Sequence, residues 1–179
     1  MIQMGRTQEL RILRRTREGL VLGDDDPEEV VLPLNEAPRD GSEDGMLRVF
    51  VYPGADGRPL ATTRTPRLEV GTFARLRMIA IRGAGAQVDW GFEPPLLVPH
   101  DEQHKDMEEG RWYVLGAFWD PKARRVYGST RIERLLSADP MTVAPRAAVD
   151  LLVYGRSDLG LSVIVNNRHH GLVHANEVF

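Results

Sequence analysis

The chain has 179 residues, no cysteine and a formal net charge of −3 at neutral pH. The lack of cysteine excludes disulfide frameworks, thiolate metal sites and thiol nucleophiles, and it is typical of a reducing cytoplasm. The charge does not favour a general polyanion binder. The longest apolar runs, such as Leu151 to Tyr154, are far shorter than the ~20 residues of a membrane-spanning helix. We therefore expect no membrane association.

Residues 1–66 have the pattern of five short strands separated by turn residues. The predicted strands are Thr7 to Arg15, Gly19 to Leu22, Val30 to Leu32, Met46 to Tyr52 and Leu60 to Thr63. Between the third and the fourth strand, the polar stretch Asn35 to Gly45 predicts a loop with one helical turn.

Residues 67–139 repeat this order. The predicted strands are Thr72 to Arg82, Ala86 to Trp90, Leu96 to Val98, Arg111 to Trp119 and Val126 to Ser129. The charged stretch His100 to Gly110 and the segment Thr130 to Leu136 both have helical character. Ser137, Asp139 and Pro140 then indicate a linker.

Residues 140–179 predict only three strands, at Val149 to Tyr154, Gly160 to Asn166 and Gly171 to His174. Three strands cannot close a barrel, and they leave bare edges and apolar surface. Two expectations follow. Either the natural chain is longer and this is a fragment, or a partner chain, such as the second copy in a homodimer, covers the open third domain.

A shared spacing relates the three segments as copies of one unit. Glycine and proline pairs of the first two copies are each 66 residues apart, namely Gly5 with Gly71, Gly19 with Gly85, and Pro33 with Pro99. In the third copy, Gly160 lies 75 residues after Gly85, and His174 lies 75 after Pro99. The interval of 14 residues from the inner glycine to the end of the third strand is common to all copies, which indicates an internal repeat.

Five short strands with a polar insert after the third describe the OB-fold, a small partly open barrel. The run Gly171-Leu172-Val173-His174, followed by Asn176-Glu177-Val178, resembles the S1 domain, the RNA-binding OB domain repeated in the largest protein of the small ribosomal subunit. We predict an all-β fold of tandem five-stranded OB barrels at 1–66 and 67–139, with an incomplete third copy at 140–179.

A longer series of motifs is similar to the conserved virulence factor B family of bacterial proteins. In chain order they are Leu60-Ala61-Thr62-Thr63, Pro66, Val70-Gly71-Thr72-Phe73-Ala74, Asp89-Trp90-Gly91, Leu97-Val98-Pro99, Val165-Asn166-Asn167 and Gly171-Leu172. The resemblance implies three S1-type domains followed by a winged helix, RNA binding, and an influence on gene expression, including that of virulence factors. It also implies that the winged helix and the end of the third domain are absent from this chain.

The resemblance implies a binding surface on strands two and three, where aromatic rings stack on bases and basic groups meet phosphates. The usual aromatic positions hold Ala84, Gln87, Leu159 and Ser162, so we expect other residues to contribute. The candidates are Arg75, Arg77, Trp90, Asp120, Arg124, Arg125, Tyr127 and His174.

These candidates differ in what supports them. Asp120 and Arg124 fit an Asp and Arg pair of the S1 domain, and His174 falls where that domain often has histidine. Tyr127 follows two arginines and is the best candidate for an exposed stacking ring. Trp90 is either a stacking ring or part of the core.

Two further groups of residues leave alternatives open. The arginines of the first copy, Arg11, Arg14, Arg15 and Arg17, either contact phosphate or form a solvated face balanced by Asp24 to Asp26. His100 and His104 have i, i+4 spacing, but without cysteine or the zinc-protease glutamate they do not predict a metal site. We expect no cofactor.

Taken together, these patterns predict a non-catalytic, cytoplasmic protein that binds single-stranded RNA and regulates gene expression post-transcriptionally. The alternative is a protein-interaction or scaffolding module whose OB domains have lost the RNA-binding face. No phosphate-binding glycine loop or catalytic constellation favours an enzyme.

Overall fold

The computed structural model describes residues 1–24, 27–38 and 45–177. Its first five strands form a closed barrel in the order β1-β2-β3-β5-β4. They are β1 Arg6–Arg15, β2 Gly19–Gly23, β3 Glu29–Pro33, β4 Met46–Pro53 and β5 Pro59–Thr62. Alternate side chains of β1 and β3, among them Leu10, Ile12 and Leu32, fill the interior, as the period of a half-buried strand requires.

The next five strands form a second closed barrel with the same connectivity. They are β6 Phe73–Arg82, β7 Gly85–Val88, β8 Leu96–Pro99, β9 Trp112–Asp120 and β10 Arg125–Ser129. In both barrels the third strand pairs in parallel with the fifth, through Val31 with Leu60 and through Leu97 with Tyr127. This parallel pairing closes the barrel.

The last three strands form an open sheet in the order β11-β12-β13. They are β11 Leu151–Ser157, β12 Gly160–Val165 and β13 His169–His174. The prediction of an all-β fold with tandem OB-type barrels and an incomplete third copy is therefore confirmed. The domain limits at 1–66, 67–139 and 140–179 stay predictions.

The helical predictions were wrong in extent. Only His100–Glu102 and Ile132–Arg134 form short 3₁₀ helices within the two predicted segments, and a third 3₁₀ turn lies at Ala175–Glu177. After Glu102 the segment is tied to the barrel, because the Gln103 side-chain amide donates to the Val98 carbonyl (3.0 Å) and Met107 is buried in the core. The helical turn expected within Asn35 to Gly45 falls partly on residues 39–44, outside the described residues.

The inner glycines lie where no side chain fits. A Cβ at Gly19, Gly85 or Gly160 would overlap the carbonyl oxygen of Leu32, Val98 or Val173 on the neighbouring third strand. Each glycine is paired directly with the last residue of that strand, Pro33, Pro99 or His174. The 14-residue interval in the sequence is therefore one strand pairing repeated three times.

A register shift in the first strand of each unit repeats with the same spacing. It lies between Ile12 and Arg14, between Met78 and Ala80, and between Val153 and Gly155. Shifts of this kind bend a strand and increase its twist, which lets a short sheet curl toward a barrel.

An aromatic cluster joins the two barrels. Phe50 and Tyr52 of β4 pack on Trp90 and Phe92, with ring centroids 5.3 Å apart for Phe50 and Phe92 and 4.9 Å for Tyr52 and Phe92. The Arg64 guanidinium carbon lies 5.1 Å from the centre of the Phe92 ring. Phe50 belongs to the core of the second barrel rather than to its own, so the barrels share buried apolar surface.

Asn167 fixes the open sheet to the second barrel. Its side-chain oxygen accepts a hydrogen bond from the Phe73 amide (2.6 Å), and its side-chain nitrogen donates to the Phe73 carbonyl (2.9 Å). Ile164 of β12 is fully buried in a cluster with Phe73 and Ile132. Among the described residues, no helix has the length and apolar character needed to span a bilayer.

We predict that Gly85→Ala destabilises the second barrel by about 1–3 kcal/mol, because the new Cβ would collide with the backbone of β8. Gly83→Ala, in the β6–β7 turn next to Gly85, is the control. The φ of Gly83 is also positive (40°), but no atom lies within 4 Å of the place that its Cβ would take. Guanidinium unfolding followed by circular dichroism measures both variants. Equal losses in the two variants would contradict the close-approach explanation.

Candidate nucleic-acid interface

Four side chains form a row across the outside of the second barrel. The pairing places Gln87 beside Leu97, Leu97 beside Tyr127, and Tyr127 beside Phe118. We call these four residues the outer row. Their sequence neighbours on each strand fill the barrel interior, so the row faces outward and is partly exposed.

Two aromatic rings of the outer row are stacked. The ring centroids of Phe118 and Tyr127 lie 5.4 Å apart with an interplanar angle of 13°. Burial, together with the nearby Glu102 carboxylate, raises the pKa of Tyr127, so its phenol stays a neutral hydroxyl near pH 7. The pair therefore offers uncharged aromatic area together with one hydroxyl.

The turn between β9 and β10 presents basic residues beside this pair. Asp120 accepts hydrogen bonds from the amides of Ala123 (3.0 Å) and Lys122 (2.9 Å). These backbone bonds, with Arg125 and Lys122 nearby, hold the pKa of Asp120 below its usual value. Asp120 therefore shapes the turn through its Oδ1 atom, which accepts both bonds.

The two predicted arginines at the end of this turn, Arg124 and Arg125, lie in different surroundings. Arg124 has a left-handed backbone conformation, with φ of 48°, and borders a crevice between the barrels beside Trp119 and Pro121. Arg125 pairs with Asp120 across the hairpin and lies two residues from Tyr127, on the same face of β10. It is exposed, so Arg125 is the closer of the two to the outer row in strand register.

Trp90 is not available as a stacking ring. It is 2% exposed and belongs to the aromatic cluster between the barrels. Its indole nitrogen donates to the Pro94 carbonyl (3.0 Å), so its polar atom is also satisfied. The large apolar area of a tryptophan favours burial where a neighbouring barrel supplies partners.

Arg75 and Arg77 lie on the outer face of β6, and both are exposed. The Arg75 guanidinium carbon lies 5.7 Å from the centre of the Trp112 ring. Arg77 pairs in register with Trp112. Within the described part of the chain, neither arginine forms a salt bridge, so both charges are available to an anion.

The arginines of the first barrel are engaged differently. Arg14 forms a two-pronged pair with Glu29, with N–O distances of 2.7 and 2.6 Å, and the hydrogen bond from Arg14 lowers the pKa of Glu29. Arg15 donates to the Pro38 carbonyl (3.3 Å). Asp25 and Asp26, two of the predicted balancing carboxylates, lie outside the described residues. The partner of Arg14 is thus a strand carboxylate.

The corresponding rows of the other units lack the stacked pair. In the first barrel the row is Val21, Val31, Leu60 and Tyr52, and Tyr52 packs on Phe92 instead of lying free. In the third sheet the pairing gives Ser162 and Leu172. His174, the remaining predicted residue, is exposed at the end of β13 opposite Gly160.

The sequence interpretation did not select Phe118 and Trp112. Both belong to the outward set of β9, which alternates with the buried Leu115 and Ala117. The period-two pattern was therefore the signal that could have found them. Among residues 1–24, 27–38 and 45–177, no group of three or more His, Cys, Asp or Glu side chains is placed to hold a metal ion.

Comparison with known proteins agrees with this architecture. Residues 4–64 match the family model of the S1 domain. Among solved structures, the chain is similar to a multidomain protein with nucleic acid binding domains from Streptococcus pneumoniae, with 16% sequence identity and a TM-score of 0.60 over 98% of this chain. The chain spans 64% of that protein's length. At this identity the likeness shows the fold alone. No curated protein sequence matches the chain.

Proposed function

We propose that this protein binds single-stranded RNA, without catalysis, on the outer row of the second barrel. The stacked pair of Phe118 and Tyr127, with Arg125 on the same face, carries the proposal. Support comes from the S1 domain match of the first barrel and from the nucleic acid binding domains named for the similar Streptococcus pneumoniae protein. The row lies on strands two, three, four and five of an OB barrel, a fold that binds oligonucleotides on strands two and three.

The chemistry suits a flexible single strand better than a duplex. Unpaired bases stack on aromatic rings whatever their identity, and each such contact is worth about 1–3 kcal/mol. Arg125 adds a phosphate contact whose strength falls as salt rises. One barrel with one stacked pair gives weak binding, so tethered contacts from neighbouring units raise the overall affinity.

In this proposal, the protein regulates gene expression by covering single-stranded segments of a transcript. A protein that covers single-stranded transcript without cutting it alters translation or decay post-transcriptionally, and it does so in the cytoplasm. The resemblance to the conserved virulence factor B family supports this role, and membership of that family stays a prediction.

Replacing Tyr127 tests the outer row. Tyr127→Ala removes one stacking ring, so we expect the Kd for a short single-stranded RNA to rise about 5- to 150-fold. Tyr127→Phe is the matched control and should bind within about twofold of the wild type, because the ring remains. Fluorescence anisotropy measures the Kd, and circular dichroism verifies the fold. Wild-type affinity in a folded Tyr127→Ala protein would exclude the outer row.

Self-association is a second candidate function, and the open sheet favours it. Leu151 and Val153 are 49% and 47% exposed, whereas their repeat equivalents Leu76 and Met78 are 2% and 0% exposed. In the complete barrels, strands four and five cover this face. A second copy that presents the same apolar face would bury both.

A substitution at Val153 tests the association. Under this second function, the wild-type chain dimerises at micromolar concentration and Val153→Glu is monomeric, because a charge on the buried face loses its hydration. Light scattering coupled to size-exclusion chromatography measures the mass. Asp158→Glu, in the β11–β12 turn, is the control that should leave the dimer intact. A monomeric wild-type chain would exclude this function.

A further inference from the structure

A cleft of about 940 Å³ separates the outer face of the second barrel from the third sheet. The barrel wall includes Arg75 and Trp112, and the sheet wall includes Tyr154 and Arg156. Lys105 lies on the loop that follows β8 and also lines the cleft. The volume is within the range of small-molecule binding sites, and the cleft is distinct from the outer row, none of whose residues lines it.

The charge of the cleft is opposite to that of the whole chain. Arg75, Lys105 and Arg156 are exposed cations, and within the described residues none of them forms a salt bridge. Glu133 is the one carboxylate among the described residues that line the cleft. In a chain with a net charge of −3, this cleft is a local concentration of unpaired positive charge, which attracts an anion.

An exposed aromatic ring stands among these cations. Trp112 is 54% exposed, although burial is the usual state of so large an apolar side chain. Arg75 lies over its ring, with the guanidinium carbon 5.7 Å from the centroid. A stacking ring, a guanidinium above it and nearby cations are the groups that bind a base together with its phosphate.

The two walls are held at a defined separation. Asn167 of the third unit forms two hydrogen bonds with the Phe73 backbone of the second barrel, at 2.6 and 2.9 Å. The fully buried Ile164 packs with Phe73 in the same contact. The cleft is therefore built by tertiary contacts of the two units, and a ligand does not have to assemble it.

Tyr154 supplies a hydrogen-bond donor on the sheet wall. Burial, together with the Glu133 carboxylate, raises the pKa of Tyr154, so its hydroxyl stays protonated at neutral pH. A neutral phenol does not repel a phosphate, and it can donate to a phosphate or base oxygen.

We propose that this cleft is a second nucleotide-binding site, in which a base of the bound RNA strand stacks on Trp112 and its phosphates meet Arg156 and Lys105. The inference rests on the proposed RNA binding and extends it from the second barrel to the junction with the third sheet. Along β9, Trp112 lies roughly 20 Å from Phe118, at about 3.3 Å per residue. A single flexible strand can therefore reach both sites.

Trp112 fluorescence reports binding in the cleft separately from binding at the outer row, which contains no tryptophan. In a Trp119→Phe background the remaining tryptophans are Trp112 and the buried Trp90. We expect an oligouridine of about 16 nucleotides, the upper site size of one OB fold, to quench the exposed component by about half or more. The same titration with Trp112→Phe added should show no such quenching.

Affinity measurements complete the test. Trp112→Ala should raise the Kd of the same oligouridine about 5- to 150-fold. Arg156→Ala should reduce the slope of log affinity against log salt by about one. Arg82→Ala removes an exposed arginine outside the cleft and should leave the affinity within about twofold.

The possible failures are distinguishable. In a first outcome, the RNA binds without quenching Trp112, and Trp112→Ala binds it with wild-type affinity. This result would overturn nucleotide binding in the cleft and leave the proposed function standing. In a second outcome, the Tyr127→Ala protein binds the RNA with wild-type affinity and its Trp112 is still quenched. This result would support the cleft as a binding site and overturn the outer row. Absence of any anisotropy change at low salt would overturn both.

Discussion

The contact on which each unit depends is the approach of an inner glycine to the backbone of the third strand. At Gly19, Gly85 and Gly160 there is no room for a Cβ beside the facing carbonyl. Because this pairing fixes where strands two and three meet, it sets the register of both, and a register slip of one residue would turn every side chain to the opposite face. The alternation of core and surface residues in all three units follows from it.

On this common scaffold, the outward residues differentiate the units. The first barrel places valines, leucine and a paired arginine on its outer face and gives Phe50 and Tyr52 to the contact with its neighbour. The second barrel keeps a stacked aromatic pair and, within the described residues, unpaired arginines on its surface. The third sheet supplies one wall of a basic cleft. The proposed binding chemistry therefore lies on the second barrel and at its junction with the third sheet.

The sequence predicted what local rules determine. Glycine spacing and period-two alternation located all thirteen strands of the described residues, with ends no more than three residues from those observed. It could not predict the burial of Trp90, because the partners Phe50 and Tyr52 come from another barrel. The helix expected over 100–110 ends after Glu102, because Gln103 and Met107 are held by the barrel. Arg75 and Tyr127 were predicted from the sequence. Their ring partners, Trp112 and Phe118, could not be predicted, because they depend on the register between neighbouring strands.

Hydroxyl-radical footprinting with and without single-stranded RNA tests the central claim most directly, because it reports the exposure of individual side chains. Binding to the outer row predicts that Tyr127 and Phe118 become protected. Met46 and Met141, which are 56% and 41% exposed and lie outside the outer row, should react as before. Protection confined to the first barrel, or unchanged reactivity of Tyr127 in a protein that has bound the RNA, would contradict the account.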